Sequence, residues 1–566
     1  MQKKIWEYRD NKLKNEEISA FAKQFNLPYE MAVLLLLRGV SDSDTFAAYM
    51  SKGLDRIHSP FLFNDMEVAC ERIIRAINDK EKITVYGDYD VDGVTSVSVL
   101  TDFLEFCGAD VDYYIPDRFS EGYGLNILAL NRIARGGTKL LITVDCGISS
   151  IGEVEFAKTQ KLDVIITDHH TCKEELPKAV AVINPKRHDS TYPFSELAGV
   201  GVAFKLVLAL AKKLGMNTKS VFMKYADLVA IGTVADIVSL SDENRIIVDR
   251  GISVIKDTGN FGIKALLEIS GCNDREITAS LIAFSLSPRI NAAGRMDNAT
   301  IAAELFRAKT YQRALELAQR LDELNRLRQQ EEQKIFDEAS AIADSMEAQS
   351  VYVLTSPHWH NGVIGIVASK LCEKLKKPCI LLSGEKGKYK GSGRSIEGLN
   401  LFDALSDSEE LLTAFGGHAL AAGLTISEEN IPDFTKKINA YAKKHITDDM
   451  LIPKIPVDCR INPSHITLDW AKALKKFEPF GIGNETPVFA LENAKIISCS
   501  AIGADGKHLS MRVSKNGITA SAIWFGMGNL ASELSEGDIA DIAFSMNINT
   551  YNGTENVQLL IKDIKK

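Results

Sequence analysis

From Asn64 to Ile183, short apolar runs alternate with stretches whose apolar residues recur at helical spacing, and this alternation restricts the fold more than any other feature of the chain. The runs, bounded by turns, read as buried strands, and the stretches between them read as helices. The pattern predicts a helix over Met66 to Asn78 and a strand over Ile83 to Tyr86. It then predicts helices Val94 to Phe106, Leu125 to Ala134 and Ile151 to Thr159. Strands Val111 to Ile115, Lys139 to Val144, Val164 to Thr167 and Ala179 to Ile183 are interleaved with them. Strands that take turns with helices build a mostly parallel sheet, so the fold class is α/β.

Open α/β sheets bind ligands beyond the carboxyl ends of their strands. The first strand stops at Gly87 and delivers Asp88, Asp90 and Asp92 at alternate positions, followed by Gly93. The third delivers Asp145-Cys146-Gly147 and the fourth Asp168-His169-His170, at the same sheet edge by topology. Further on, the apolar helix Tyr225 to Val234 ends in Asp236. A single aspartate after a strand is often only a helix N-cap, and a lone His pair is more often structural. Four separate sites that all supply Asp or His point instead to a cation, because crowded carboxylates repel one another without one. Carboxylate and imidazole without thiolate suit a hard or borderline divalent ion, with histidine favouring Mn²⁺ over Mg²⁺ or Ca²⁺. The ligands exceed one ion's share. This suggests two ions about 3.5–4 Å apart with a bridging carboxylate, an arrangement suited to activating water for in-line phosphoryl displacement.

At 566 residues the chain should hold about three or four domains. Its net charge of −9 excludes generic polyanion binding, so any nucleic-acid contact needs a local basic groove. No stretch approaches the ~20 apolar residues of a membrane span, and the polar start, Met1 to Asp10, does not read as a secretory signal. The nine cysteines, with no C-x-x-C pair, fit reduced thiols in a cytoplasm rather than disulfides or structural zinc. The absence of G-K-[ST] argues against P-loop ATP chemistry.

Residues before Ser59 read as helical and irregular, with no chemistry to name. Arg295 to Ser356 lacks Gly and Pro, and Ala314, Leu317, Leu321, Leu324 and Leu327 keep helical spacing. Arg320 to Lys334 is polar enough to suggest a solvent-exposed connecting helix. A smaller α/β unit follows, with strands Ser350 to Leu354 and Cys379 to Leu382. It contains the basic, glycine-rich stretch Lys386 to Ser395, which reads as a phosphate-binding loop centred on Arg394 or as a flexible hairpin with solvating lysines. Gly416-Gly417-His418 reads similarly. Short strands between Ile455 and Ile561 suggest a small barrel with balanced charge, in which His508, Trp524 and Phe525 stack on bases or fill the core.

The motifs Asp88-x-Asp90-x-Asp92-Gly93, Asp145-Cys146-Gly147, Asp168-His169-His170 and Gly232-Thr233-Val234-Ala235-Asp236 resemble those of the DHH phosphoesterase superfamily. The runs Pro288 to Met296, His358 to Ser369 and Gly416 to Gly423 are similar to those of its bacterial single-strand-specific exonuclease family, although Ser287 stands where glycine is expected. The resemblance implies an N-terminal helical segment (1–59), a parallel-sheet DHH catalytic domain (60–300), a connector helix (301–348), a DHH-associated substrate-binding domain (349–450) and a C-terminal OB-fold β-barrel (451–566). It implies that Asp90, Asp92, Asp145, His169 and Asp236 hold two Mn²⁺ or Mg²⁺ ions. Asp145 is the candidate bridge, and Asp88 a ligand or outer acceptor. His170 would face the scissile phosphate, and Asp168 would orient a neighbour. Arg118, Tyr123, Arg289, Asn291, Ser392, Arg394 and His418 would contact the substrate.

The implied activity is 5′→3′ hydrolysis of single-stranded DNA in recombination and repair, by a cytoplasmic monomer without membrane contact. A single-strand-binding protein and a helicase are the implied partners. Two alternatives share the fold: a phosphodiesterase for very short oligonucleotides or cyclic dinucleotides, and a non-catalytic replication scaffold. The connector and the third region argue against the first, and the full set of acidic residues argues against the second.

Overall fold

A computed structural model of the chain describes residues 4–385, 387–551 and 553–566; Lys386, which opens the basic glycine-rich stretch, lies outside them, as do residues 1–3. The first sheet has five parallel strands: β1 (Ile83–Tyr86), β2 (Val111–Tyr114), β3 (Leu140–Val144), β4 (Asp163–Thr167) and β5 (Ala181–Ile183), in the order β2-β1-β3-β4-β5. Its central strands are apolar throughout because both faces are covered. One face packs under helices α1 (Val91–Phe106), α2 (Gly199–Lys213) and α3 (Thr218–Ala235), and the other under the helices Ile127–Arg135 and Ile151–Thr159. All carboxyl ends point one way, toward the acidic and histidine residues.

After α4 (Ser287–Met296), one 35-residue helix, α5 (Tyr311–Ser345), runs out of the first core and into the second. Ala314, Leu317, Ala318, Leu321 and Leu324 belong to the catalytic core, whereas Ile335, Ala339 and Ala343 belong to the core of the next unit. The polar middle of the helix is less wet than its composition suggests. Asn325 and Glu332 are buried, and Glu332 is ion-paired with Arg328 and with Lys370 of α6 (Ile364–Leu375). A connector rooted in two cores fixes the distance between them.

The second sheet runs β9 (Leu412–Gly417), β10 (Ala421–Ser427), β8 (Lys388–Arg394), β7 (Cys379–Glu385), β6 (Tyr352–Thr355), antiparallel except for β6–β7. The glycine-rich stretch expected as a loop is therefore the central strand β8. Gly391 and Gly393 are there because a Cβ would meet Leu382 Cδ2 at 2.5 Å and Leu401 Cδ2 at 2.8 Å. Their side-chain faces turn to the core, which places Lys390, Ser392 and Arg394 on the opposite face.

The last five long strands, β11 (Phe489–Ile502), β12 (His508–Lys515), β13 (Ile518–Trp524), β14 (Ile539–Tyr551) and β15 (Thr554–Lys565), close in the order β11-β12-β13-β15-β14 back onto β11. Trp524 fills this core and does not stack outward, while Phe525 is exposed against His508. The N-terminal segment packs here too. Ile18, Phe21 and Met31 to Leu35 join the barrel core, and an unanticipated strand, Ile5–Tyr8, pairs with Lys454–Val457. No described helix is long and apolar enough to cross a membrane.

Candidate metal centre and terminal pocket

β1 ends at Gly87, where a Cβ would strike Val97 Cγ2 at 2.3 Å, and the chain turns directly into α1. Asp90 caps that helix, accepting from the Gly93 N–H at 3.0 Å. Gly93 cannot be larger, because a Cβ would lie 2.5 Å from the Asp88 carbonyl oxygen. Asp92, one turn in, receives the Gly199 and Val200 N–H groups at 2.7 Å each, so the start of α2 fixes its carboxylate. Beyond β3, Asp145 adopts φ +60° while its N–H donates to Thr167 O at 3.0 Å. A non-glycine residue in this region is uncommon, and such strain gathers at functional sites.

Beyond β4, buried Asp168 accepts from the N–H groups of Ile148, His169 and His170 and from His170 Nδ1 at 2.7 Å. It organises the turn. Burial opposes its ionisation, but these hydrogen bonds and the His170 charge prevail and hold its carboxyl below the usual range. His169 Nδ1 lies 3.1 Å from Leu197 O. A carbonyl only accepts, so Nδ1 carries the proton and Nε2 presents its lone pair to Asp145 Oδ1 at 3.2 Å and Asp236 Oδ2 at 3.6 Å. Burial and the neighbouring His170 push the His169 imidazole down to about 4, keeping it neutral.

These residues converge. Three sets have ligand atoms mutually within 4.8 Å: Asp145, His169 and His170; Asp92, His169 and Asp236; and Asp88, Asp90 and Asp145. Asp145 Oδ1, His169 Nε2, Asp236 Oδ2 and Asp88 Oδ1 are buried without a hydrogen-bond partner. Facing lone pairs this close repel, and a cation between them removes the repulsion. The same crowding appears in the carboxyl groups. Burial and Asp90 raise Asp92 to about 7, burial and Asp92 raise Asp236 to about 9, and burial with neighbouring aspartates raises Asp88 and Asp145 well above the usual range. The donor set is oxygen and imidazole nitrogen, and it fits Mn²⁺ or Mg²⁺.

His170 is half-exposed at the mouth of the cluster. Burial lowers its basicity, but Asp168 at Nδ1 more than compensates and raises it. Tyr123 Oη donates to Asp145 O at 3.3 Å and lies 3.1 Å from His170 Nδ1.

Beside the cluster, a cavity of ≈ 510 Å³ opens between the first two units. Its walls include Arg118, Arg295, Gly362, Gly365, Ser392 and Arg394. Gly365 on α6 permits close approach, since a Cβ would lie 2.9 Å from Ser392 Oγ. Arg295 donates to Gly362 O at 3.2 Å, and Arg394 to Gly393 O at 2.8 Å and Ser392 Oγ at 3.2 Å. Burial and the Arg118 charge push the Arg295 guanidinium down to about 10, and burial lowers Arg394. Three guanidiniums share this cavity, and none has a carboxylate ion-pair partner among the described residues, as expected of an anion site.

Comparison with known proteins agrees region by region. Residues 82–233 match the DHH family N-terminal domain, 348–444 the DHHA1 domain and 457–563 the RecJ OB domain. The single-stranded-DNA-specific exonuclease RecJ of Bacillus subtilis is 39% identical over 97% of this chain and 69% of its own length. That of Haemophilus influenzae is 37% identical over 91% of this chain and 94% of its own. The chain belongs to the RecJ family. The crystal structure of Thermus thermophilus RecJ in complex with Mn²⁺ superposes with a TM-score of 0.84 at 27% identity, covering 98% of this chain and 78% of that one.

Within this RecJ-family framework the sequence-derived substrate residues divide. Arg118, Ser392 and Arg394 line the basic cavity, and Tyr123 stands at the metal cluster. Arg289 is held by Asp322 at 2.9 Å and by Ser285 O at 2.6 Å, and Asn291 lines a different groove, against the barrel. His418 is exposed on the β9–β10 turn, its N–H bonded to Ala421 O. Arg295 was not among the expected contacts although it lies in the same sequence run. Its signal was Gly294, where a Cβ would sit 2.6 Å from Tyr89 O, so α4 presses against the acidic loop at that point.

Proposed function

We propose that the chain is a metal-dependent exonuclease that removes nucleotides from the 5′ end of single-stranded DNA in recombination and repair. The observation that carries this reading is the pairing of four orphaned buried ligand atoms with an adjacent three-arginine cavity. Asp88, Asp90, Asp92, Asp145, His169 and Asp236 would hold two Mn²⁺ or Mg²⁺ ions. Asp145 is the bridge, because it belongs to two of the three ligand sets. Bound divalent ions lower the pKa of attacking water and neutralise charge on the scissile phosphate. Arg118, Arg295, Ser392 and Arg394 grip the terminal phosphate and so register the first phosphodiester at the cluster. Asp168 holds His170 by Nδ1 and leaves its other nitrogen, beside the Tyr123 hydroxyl, to donate to a phosphate oxygen.

The relatives' names support the single-strand substrate. The nine free cysteines support a reducing, cytoplasmic location. A monomer working with a single-strand-binding protein and a helicase is the family-level expectation for its assembly. The test is digestion of single- and double-stranded DNA carrying 5′ or 3′ labels, with and without Mn²⁺. Early release of the 5′ label from single strands only, and only with metal, is expected. Early release of the 3′ label overturns the polarity, and metal-independent release overturns the chemistry.

A further inference from the structure

We propose that the groove between the catalytic helices and the barrel receives the bases of the strand trailing away from the metal cluster, and that Phe284 stacks on one of them. This inference rests on the exonuclease reading above. The groove has a volume of ≈ 830 Å³, and its walls include Ile237, Phe284, Asn291, Phe480, Ile482 and Met546. Three of these are large apolar side chains left open to solvent: Phe284 is 81% exposed, Ile237 67% and Ile482 51%. They come from three separate parts of the chain and face one space, which scattered surface residues would not do.

Phe284 is not exposed by a slip of helical phase. Its neighbours Ile282 and Leu286 are fully buried, and all three lie in a π-helical turn, Ile282–Leu286, that leads into α4. Such turns are rare and recur at functional sites. The wider turn keeps both flanking residues in the core and projects the ring between them.

The groove's position and charge select its occupant. Its wall contains Val234, Ala235, Ile237 and Val238, which flank Asp236, so it starts where the cluster ends. A strand whose terminal phosphate lies in the arginine cavity must leave the cluster on another side. Among the described residues, no Lys or Arg lines this groove, and two of its carboxylates, Asp249 and Glu485, are already paired with Lys52 and Arg9. Phosphates find no cation here, whereas bases find apolar walls and an aromatic face. The barrel contributes Met546, Asn547 and Leu560, from β14 and β15, rather than the exposed Phe525 beyond β13. A paired base has its faces covered by stacking neighbours, so this contact also favours single strands.

The test measures equilibrium binding by fluorescence anisotropy in an Asp145→Asn background, which prevents digestion. The probes are a 5′-phosphorylated single strand and the same strand made abasic after its first nucleotide. Phe284→Ala is expected to weaken binding of the normal strand about tenfold, Phe284→Trp to restore it, and the abasic strand to bind alanine and phenylalanine proteins alike. Equal binding of the normal strand, within twofold, by the alanine and phenylalanine proteins overturns the proposal while leaving the exonuclease reading intact. A parent protein that binds no single strand at all removes both. Dimerisation that depends on Phe284 without strand binding would identify a second copy as the occupant and also overturn it.

Discussion

Replacing Gly199 by alanine adds one methyl group at the point where α2 meets the metal cluster. A Cβ built there lies 2.5 Å from Asp145 Oδ1, 2.6 Å from its Cβ and 2.7 Å from its Cγ, against 3.4–4 Å for ordinary contact. The shortfall is about 1 Å, and the neighbour is a buried, backbone-strained aspartate that cannot swing aside. Either Asp145 moves or the start of α2 retreats and lengthens the 2.7 Å bonds from Gly199 and Val200 to Asp92. Both outcomes misplace a proposed ligand without removing a carboxylate. A displacement of that size costs on the order of 100-fold in rate, or about 2.7 kcal/mol of transition-state stabilisation.

The assay is kcat/KM on a 5′-phosphorylated single strand at several Mn²⁺ concentrations, together with the Mn²⁺-induced rise in melting temperature. The metal-free melting temperature should change little, because alanine favours the helix over glycine by about 1 kcal/mol and offsets part of the strain. Gly201→Ala is the control. Its Cβ would meet only the Leu197 side chain, at 3.2 Å, and activity should stay near wild type. A Gly199→Ala protein with kcat/KM within threefold of wild type and an unchanged Mn²⁺ response would refute the reasoning.

Three other perturbations separate the parts of the account. Asp145→Asn should abolish hydrolysis while leaving metal-free stability equal or higher, since it removes one of several buried, mutually repelling carboxylates; a thermal melt without metal that falls by several degrees would contradict this. Arg394→Ala should weaken binding of 5′-phosphorylated strands about tenfold or more and affect 5′-hydroxyl strands much less, and equal effects on the two ends would remove Arg394 from the terminal pocket. Leu321→Ala, in the fully buried face of the connector helix, should destabilise the protein by about 2–5 kcal/mol in urea melts with kcat little changed per folded molecule.

The features legible in the sequence share a physical cause. Val85 or Ile142 in a doubly covered strand must be apolar, and Asp88, Asp145 and Asp168 follow such strands, so periodicity alone places them at one sheet edge. Strand β8 was hidden because its glycines answer to Leu382 and Leu401, residues on other elements, and glycine by itself reads as a turn. The pairing of Ile5–Tyr8 with Lys454–Val457 joins distant parts of the chain, and no local pattern encodes it. Arg289 and Arg295 stand on one short helix, yet one is neutralised by Asp322 and the other faces the cavity, because their side chains leave α4 in different directions. Tertiary partners, invisible in the sequence, decide which arginine is free.

Anomalous diffraction from crystals grown with Mn²⁺ tests the central claim most directly. Two manganese peaks within reach of Asp90, Asp92, Asp145, His169 and Asp236, with Asp145 touching both, are the predicted result. Manganese bound elsewhere, or none in the cluster of a protein that still digests single strands, would contradict it.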